Sequence, residues 1–395
     1  MTGTGGDGLR DGALTAWNLF VFFARLGATA FGGPAILARM REVTVAPKGW
    51  LAPGTFDEGI ALSQTVPGAT AVQCAAYIGL RSCGLRGAAA ATLGFCLPAF
   101  VLMLVASVLY GRMAGWGAGQ AILQGLRAMV IAIVSSSALD LVRRQLHHWR
   151  EQAISAMAAV LMLAKCGPIL AIGIAGAAGV LFLRGSGQGA TSSRHPPLPA
   201  GKISKQVGLV LASAACLLVL LFAFAPTLGR LALVMMKVSV FAFGGGYAAL
   251  PLMLHECVTK QGWLTAGGFM DGVALGQVSP GPLSIIAAFV GYKVGSFLGA
   301  VVATIGVFFP CFVVIVAAAP WFERLQRYHL FRAATQGAAV SLAGLLVAVA
   351  IQFGQTVSWT VTKGALAVVA LLALQLGVNV LWIVAVGGTI AGLLL

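Results

Sequence analysis

The sequence is poor in charge. Only 9% of its 395 residues are Asp, Glu, Lys or Arg, against about 25% in a soluble domain. Acidic residues are the scarcest, ten in all, and the five histidines fall mostly in predicted loops without an H-x-x-x-H spacing. A soluble globular fold and a histidine-held zinc are therefore not expected. There is no G-x-x-x-x-G-K-[ST] loop, so ATP does not drive this chain. The seven cysteines show no paired spacing, which implies neither a metal site nor a disulfide framework. They read as small apolar residues. Residues 1–13 form a polar, Gly-rich tail with no signal-peptide pattern. No flavin, haem or other cofactor signature is present, which argues against a redox or lipid-modifying enzyme within the membrane.

Apolar sequence is what the chain has. Hydrophobic residues make up 59%, mean hydropathy is +0.96, and runs long enough to span recur along nearly the whole length. A span needs about 20 such residues. The expected fold is an all-α polytopic membrane protein. The 52 glycines fit close helix packing in a bilayer. A net charge of +15 does not indicate nucleic acid, because most Lys and Arg fall in short loops, as the positive-inside rule requires.

The chain repeats itself. Phe31-Gly32-Gly33 recurs as Phe243-Gly244-Gly245, and Gly79, Gly87, Gly94 and Pro98 recur as Gly291, Gly299, Gly306 and Pro310, all at an offset of 212. Gly49-Trp50-Leu51 and Gln64 recur at 213. The organisation read from this is a tail (1–13), a first copy (14–183), a cytoplasmic linker rich in Gly, Ser and Pro (184–205), a bridging span (206–225) and a second copy (226–395). Each copy is expected to hold about six spans, with a tight break near Cys166-Gly167-Pro168. One bridging span between copies of even span count inverts the second copy. Loop charges agree: Arg143–Arg150 is strongly basic while its mate near 353–362 is not. The Arg39–Lys48 loop agrees only if the Gln64 segment re-enters rather than spans.

Two stretches interrupt the apolar runs, Gln64-Thr65-Val66-Pro67-Gly68 and Gly276-Gln277-Val278-Ser279-Pro280-Gly281-Pro282. Proline removes a donor and glycine frees the backbone, so each ends one helix and starts another. Broken backbone at membrane depth must line a cavity or be shielded by protein. A helix restarting there aims free N–H groups and its positive dipole end at that cavity, which suits an anion. Arg25 and Lys237 lie inside apolar runs at an offset of 212. Such charges are functional candidates, and inverted copies would turn both towards one point, where they would hold a dianion. Arg127 has Ala339 at its mate position and reads as structural or gating. The carboxylates Glu58, Asp271, Glu42, Glu256 and Asp140 are candidates for a coupling proton.

These motifs resemble the chromate ion transporter family in its long, two-copy form. Phe-Gly-Gly-Pro at 31–34, Phe-Gly-Gly-Gly-Tyr at 243–247 and the two Pro-Gly stretches carry the resemblance, which covers nearly the whole chain. It implies chromate as substrate and efflux across the cytoplasmic membrane, with sulfate as an isosteric competitor. In the expected mechanism of alternating access, chromate binds between the restarted helices. Its expected ligands are Arg25, Lys237, the side chains of Gln64, Thr65, Gln277, Ser279 and Ser284, and backbone at Pro67, Gly68, Pro280 and Gly281. Gly32, Gly33, Gly244 and Gly245 allow close approach. Protons and lipid are the other partners considered, a homodimer is compatible with the sequence, and neither cofactor nor nucleic acid is expected. The rival readings are a transporter of sulfate or molybdate, and an anion channel.

Overall fold

Proline and glycine cut the apolar runs into pieces, and where each cut falls decides the fold. The computed structural model describes residues 15–29, 33–45, 50–113, 117–183, 199–322 and 328–394, and every element among them is helical. The tail (1–13), Gly32 and linker residues 184–198 lie outside the described residues.

α1 (Ala16–Thr29) and α2 (Gly33–Val45) flank the first Phe-Gly-Gly. Past α2 the chain returns to α1, where the rings of Trp50 and Phe22 meet at 4.9 Å. α3 (Pro53–Thr65) starts on Pro53 and stops before Pro67-Gly68, and α4 (Thr70–Met113) restarts after it. With 13 residues, α3 is about 20 Å long, short of a hydrocarbon core of about 30 Å. It pairs with the start of α4 as a hairpin. A Cβ at Gly59 would sit 2.4 Å from the Tyr77 ring, and Arg81 reaches the Glu58 carboxylate at 3.1 Å. α4 then reverses at Cys83–Gly84. A Cβ on Gly79 would lie 2.2 Å from the Gly87 carbonyl oxygen, although eight residues of unbroken helix are about 12 Å long. The remainder of α4 and α5 (Gly117–Gln145) are long helices. α6 (Trp149–Leu163) and α7 (Pro168–Phe182) form a further hairpin, turning at Gly167 where φ is +90°. Arg150 ties its open end by donating to the Phe182 carbonyl at 3.0 Å. The expected break is present, with Pro168 in the first turn of α7.

After the bridging helix α8 (Ala200–Phe224) the same series returns. It comprises α9 (Pro226–Phe241), α10 (Ala249–Met253) with a π-helical turn (Leu254–Lys260), α11 (Ala266–Val278), α12 (Ile286–Ala318), α13 (His329–Thr356), α14 (Val361–Gln375) and α15 (Val380–Leu394). The reversals recur too. A Cβ on Gly291 would lie 2.2 Å from the Gly299 oxygen, and one on Gly272 would lie 2.5 Å from the Phe289 ring. At Gly244–Gly245, with φ of +92° and +116°, the chain folds back so that Glu256 meets Lys237 at 2.8 Å.

Each hairpin returns the chain to the side it came from, so only the long helices change sides. Among the described residues, apolar stretches long enough to cross are found in five helices, α4, α5, α8, α12 and α13. Two per copy with α8 between them means the second copy enters from the opposite face. The expected spans of each copy thus resolve into seven helical elements, two of full length. The bases of the first-copy hairpins and the end of α5 then share one side with Arg39, Arg41, Arg143, Arg144 and Arg150. That side is cytoplasmic by the positive-inside rule, and the Arg39–Lys48 loop no longer conflicts with it. A topology reporter fused after Arg150 and one fused after Gln355 are expected to report opposite sides. Two cytoplasmic signals would refute the inversion.

The copies interlock. α4 packs on α12, α5 packs on α14 and α15, and α13 packs on α6 and α7. Small residues permit the approach: a Cβ at Gly27 would lie 2.4 Å from the Phe95 oxygen in the α1–α4 contact. α8 stands outside this assembly with its apolar stretch unburied, as a lipid-facing helix does.

Candidate functional site

The two Pro-Gly tips are held by the opposite copies. At the first, Gly68 N–H donates to the Ala242 carbonyl at 2.8 Å and Ala69 N–H to Cys311 Sγ at 3.2 Å. At the second, Ser279 Oγ donates to the Ala99 carbonyl at 3.4 Å, and a Cβ on Gly281 would lie 2.9 Å from Ala99 Cβ. Ala99 and Cys311 are repeat mates, so the crossing is two-fold symmetric. Gly68 (φ +132°) and Gly281 (φ +102°) make turns that a side chain would strain.

A cavity of about 550 Å³ opens where the tips meet. Gln64, Ala69 and Thr70 line it from the first hairpin, and Gln277, Ser279, Gly281 and Pro282 from the second. Gly244–Tyr247 form a third wall. α5 contributes Ser137, Asp140, Arg144 and Gln145, and the α14–α15 turn contributes Asn379. The first turn of α4, at Thr70 and Ala71, presents backbone N–H groups without helical partners. Gln277 Nε2 reaches Tyr247 Oη at 3.5 Å, and Gln145 Oε1 is buried without a partner. Asp140 and Arg144 carry the charge of the cavity. They stand one turn apart on α5, yet among the described residues neither takes part in an ion pair. They lie in the last two turns of α5, beside its basic end.

The equivalent surface on the other face is packed. Val349, the mate of the half-buried Ser137, is buried, as is Ala249, the mate of the half-buried Leu37. Gly167, the mate of Asn379, has the His255 ring against it, 3.0 Å from where a Cβ would stand. Gln352 and Thr356 replace Asp140 and Arg144, so that face carries no charge at these positions.

Of the residues singled out from sequence, the cavity gathers Gln64, Gly244, Gly245, Gln277, Ser279 and Gly281. Others build the tips without lining it. Thr65 Oγ1 donates to the Ala61 carbonyl at 2.7 Å, the Pro67 carbonyl accepts from Gln73 Nε2 at 2.6 Å, and Ser284 is buried. Gly68 and Pro280 shape the turns, and Gly33 opens α2.

The expected cation pair is not assembled at the cavity. The reversal at Gly244–Gly245 brings Glu256, 3% exposed, onto Lys237, so that ammonium is committed to a carboxylate together with Lys260 at 3.4 Å. Arg25 is exposed on the outer face of α1. Glu42 pairs with Arg39 on the surface, and Glu58 with Arg81 at its hairpin base. Asp271 receives Arg127 at 2.7 and 2.8 Å and the Tyr110 hydroxyl at 2.9 Å, which ties α11 of the second copy to α5 and α4 of the first. Sequence reasoning weighed Asp140 only as a coupling carboxylate and Arg144 only as a loop cation. Their signal was an acid and a base four residues apart at the end of an apolar run, with uncharged mates.

Residues 17–180 and 229–393 each match the chromate transporter family. An uncharacterized transporter of Methanocaldococcus jannaschii is 36% identical over 370 residues, covering 94% of this chain and 92% of that protein. A chromate transport protein of Pseudomonas aeruginosa is 33% identical over 359 residues, 86% and 81% of the two chains. One of Cupriavidus metallidurans is 30% identical over 344 residues, 85% and 82%. No solved structure matches the chain. With both of its copies matched and its full-length relatives aligned across nearly all of it, the chain belongs to the chromate transporter family.

Proposed function

We propose that this chain is a secondary transporter that moves chromate out of the cytoplasm by alternating access and so confers chromate resistance. The observation that carries the reading is the cavity between the two hairpin tips, lined by both copies, with Gln64, Gln277, Ser279 and Arg144 set as polar groups in a largely apolar wall. Chromate sits among the first-turn N–H groups of α4, the amides and hydroxyls of the tips and the Arg144 guanidinium, whose fork matches an oxyanion. The packed equivalent surface on the opposite face fits an inward-open state, and exchange of the two packings between the copies exposes the site outside. Arg144 has an uncharged mate, Thr356, so the outward site holds the anion less strongly and favours release. A membrane negative inside adds about 2.3 kcal/mol per charge per 100 mV towards export. The protein acts in the cytoplasmic membrane as a transporter and not as an enzyme.

Saturable uptake of labelled chromate into inside-out vesicles tests this. Arg144→Ala is expected to raise the apparent KM by about tenfold or more, the scale of one charge-assisted hydrogen bond. Arg144→Lys is expected to be milder, since charge survives and the fork does not. Flux that never saturates indicates a channel, and a wild-type KM in Arg144→Ala removes this cavity as the site.

A further inference from the structure

The two hairpins carry an acid and a base at matched positions, yet they form different ion pairs. Glu58 and Asp271 are repeat mates at an offset of 213, and Arg81 and Lys293 at 212. In the first hairpin the pair closes on itself. Arg81 reaches Glu58 at 3.1 Å and donates to the Tyr77 hydroxyl at 2.9 Å. In the second hairpin it does not. Asp271 is bound by Arg127 and Tyr110, both from the first copy. Lys293 stands one ring away, its ammonium 4.3 Å from the centre of the Tyr110 ring whose hydroxyl meets Asp271. Phe289, the mate of Tyr77, offers Lys293 no hydroxyl.

The link between copies has no twin. The mates of Arg127 and Tyr110 are Ala339 and Phe322, so the second copy offers Glu58 neither a cation nor a hydroxyl at those positions. A contact made on one face only belongs to one of the two packings that inverted copies can exchange. Arg127 lies in the first half of α5, away from its basic end, and so in the outer half of the membrane, on the face that is packed. We infer that Lys293 is the second partner of Asp271 in the transport cycle. When the packings exchange, the Arg127–Asp271 latch opens and the carboxylate passes to Lys293, as Glu58 now sits with Arg81. This rests on the alternating-access reading. Asp271 is fully buried, and opening the latch with no cation at hand would leave its charge uncompensated. Lys293 therefore acts on the exchange between packings, and not on the one in which Arg127 is bound.

Lys293→Gln in the full-length chain tests this, read by labelled chromate uptake into inside-out vesicles, chromate binding to the purified protein and thermal unfolding in detergent. Lys293 takes part in no ion pair among the described residues. Binding and melting temperature are therefore expected to stay close to wild type. Maximal uptake is expected to fall about tenfold or more, the scale of one hydrogen bond to a charged group. Lys293→Arg keeps the charge and should keep most of the rate. In an Asp271→Asn background no carboxylate needs a second partner, so adding Lys293→Gln should cost nothing further. Wild-type uptake in Lys293→Gln overturns the inference. An undiminished loss in the Asp271→Asn background also overturns it, since Lys293 would then steer the anion without Asp271. A fall in rate matched by a fall in melting temperature reduces Lys293 to packing and overturns it as well. Absence of saturable uptake in the wild type removes the transport reading and this inference with it, whereas wild-type uptake in Lys293→Gln removes the inference alone.

Discussion

Chromate transport should fall to background in Gly281→Leu, with the protein still present in the membrane at its normal level. Gly281 sits at the second tip with φ +102°, where a residue with a side chain is strained by about 1–2 kcal/mol. Its Cβ would stand 2.9 Å from Ala99 Cβ, and the rest of the leucine would have to lie in the cavity that Gly281 now lines. The tip would be displaced and the oxyanion space filled together. Gly281→Ala keeps the strain and the Ala99 contact but adds only a methyl, so partial transport is expected. Vesicle uptake read against immunoblotted protein level decides it. A wild-type rate in the leucine variant would reduce the tip to a packing element.

The largest loss of stability is expected from Arg127→Ala. The Asp271 carboxylate is fully buried and bound by the guanidinium fork at 2.7 and 2.8 Å. Removing one partner of such a pair costs about 3–5 kcal/mol, because a buried charge is left uncompensated. The Arg127 side chain is 31% exposed and Tyr110 still donates to Asp271, which places the loss near the lower end. Thermal unfolding in detergent measures it. The double variant Arg127→Met, Asp271→Leu removes both charges and should melt closer to the wild type than Arg127→Ala does. If Arg127→Ala melts at the wild-type temperature, the link between copies contributes nothing to stability.

Much of the architecture was legible because helix breaks are local. Pro67-Gly68, Pro280-Gly281-Pro282, Phe243-Gly244-Gly245 and Gly167-Pro168 end helices through their own backbones, and all are helix boundaries in the structure. The reversals at Cys83–Gly84 and Gly295–Ser296 were not read. Neither has a proline to mark it, and what folds them back is the contact of Gly79 with Gly87 and of Gly291 with Gly299. The neighbours of the candidate site residues were out of reach for a related reason. The tips could be named from their residue types, but the charged partners could not. A charge deep in an apolar run signals cost without naming its neighbour. Lys237 proved to face Glu256, which is 19 residues away and brought back by a turn.

The sequence by itself determined that this is a helical membrane protein of two copies, with broken helices at matched places and an odd helix between them. Hydropathy, the residue types that break helices and the repeat offset are properties of the chain alone. Only the tertiary structure decided which breaks reverse direction and that each tip rests on the opposite copy. It alone placed Asp140 and Arg144 in the cavity and left Arg25 and Lys237 outside it. The positions of α5 and of the two tips are set by packing between the copies, and a side chain's neighbours follow from that packing.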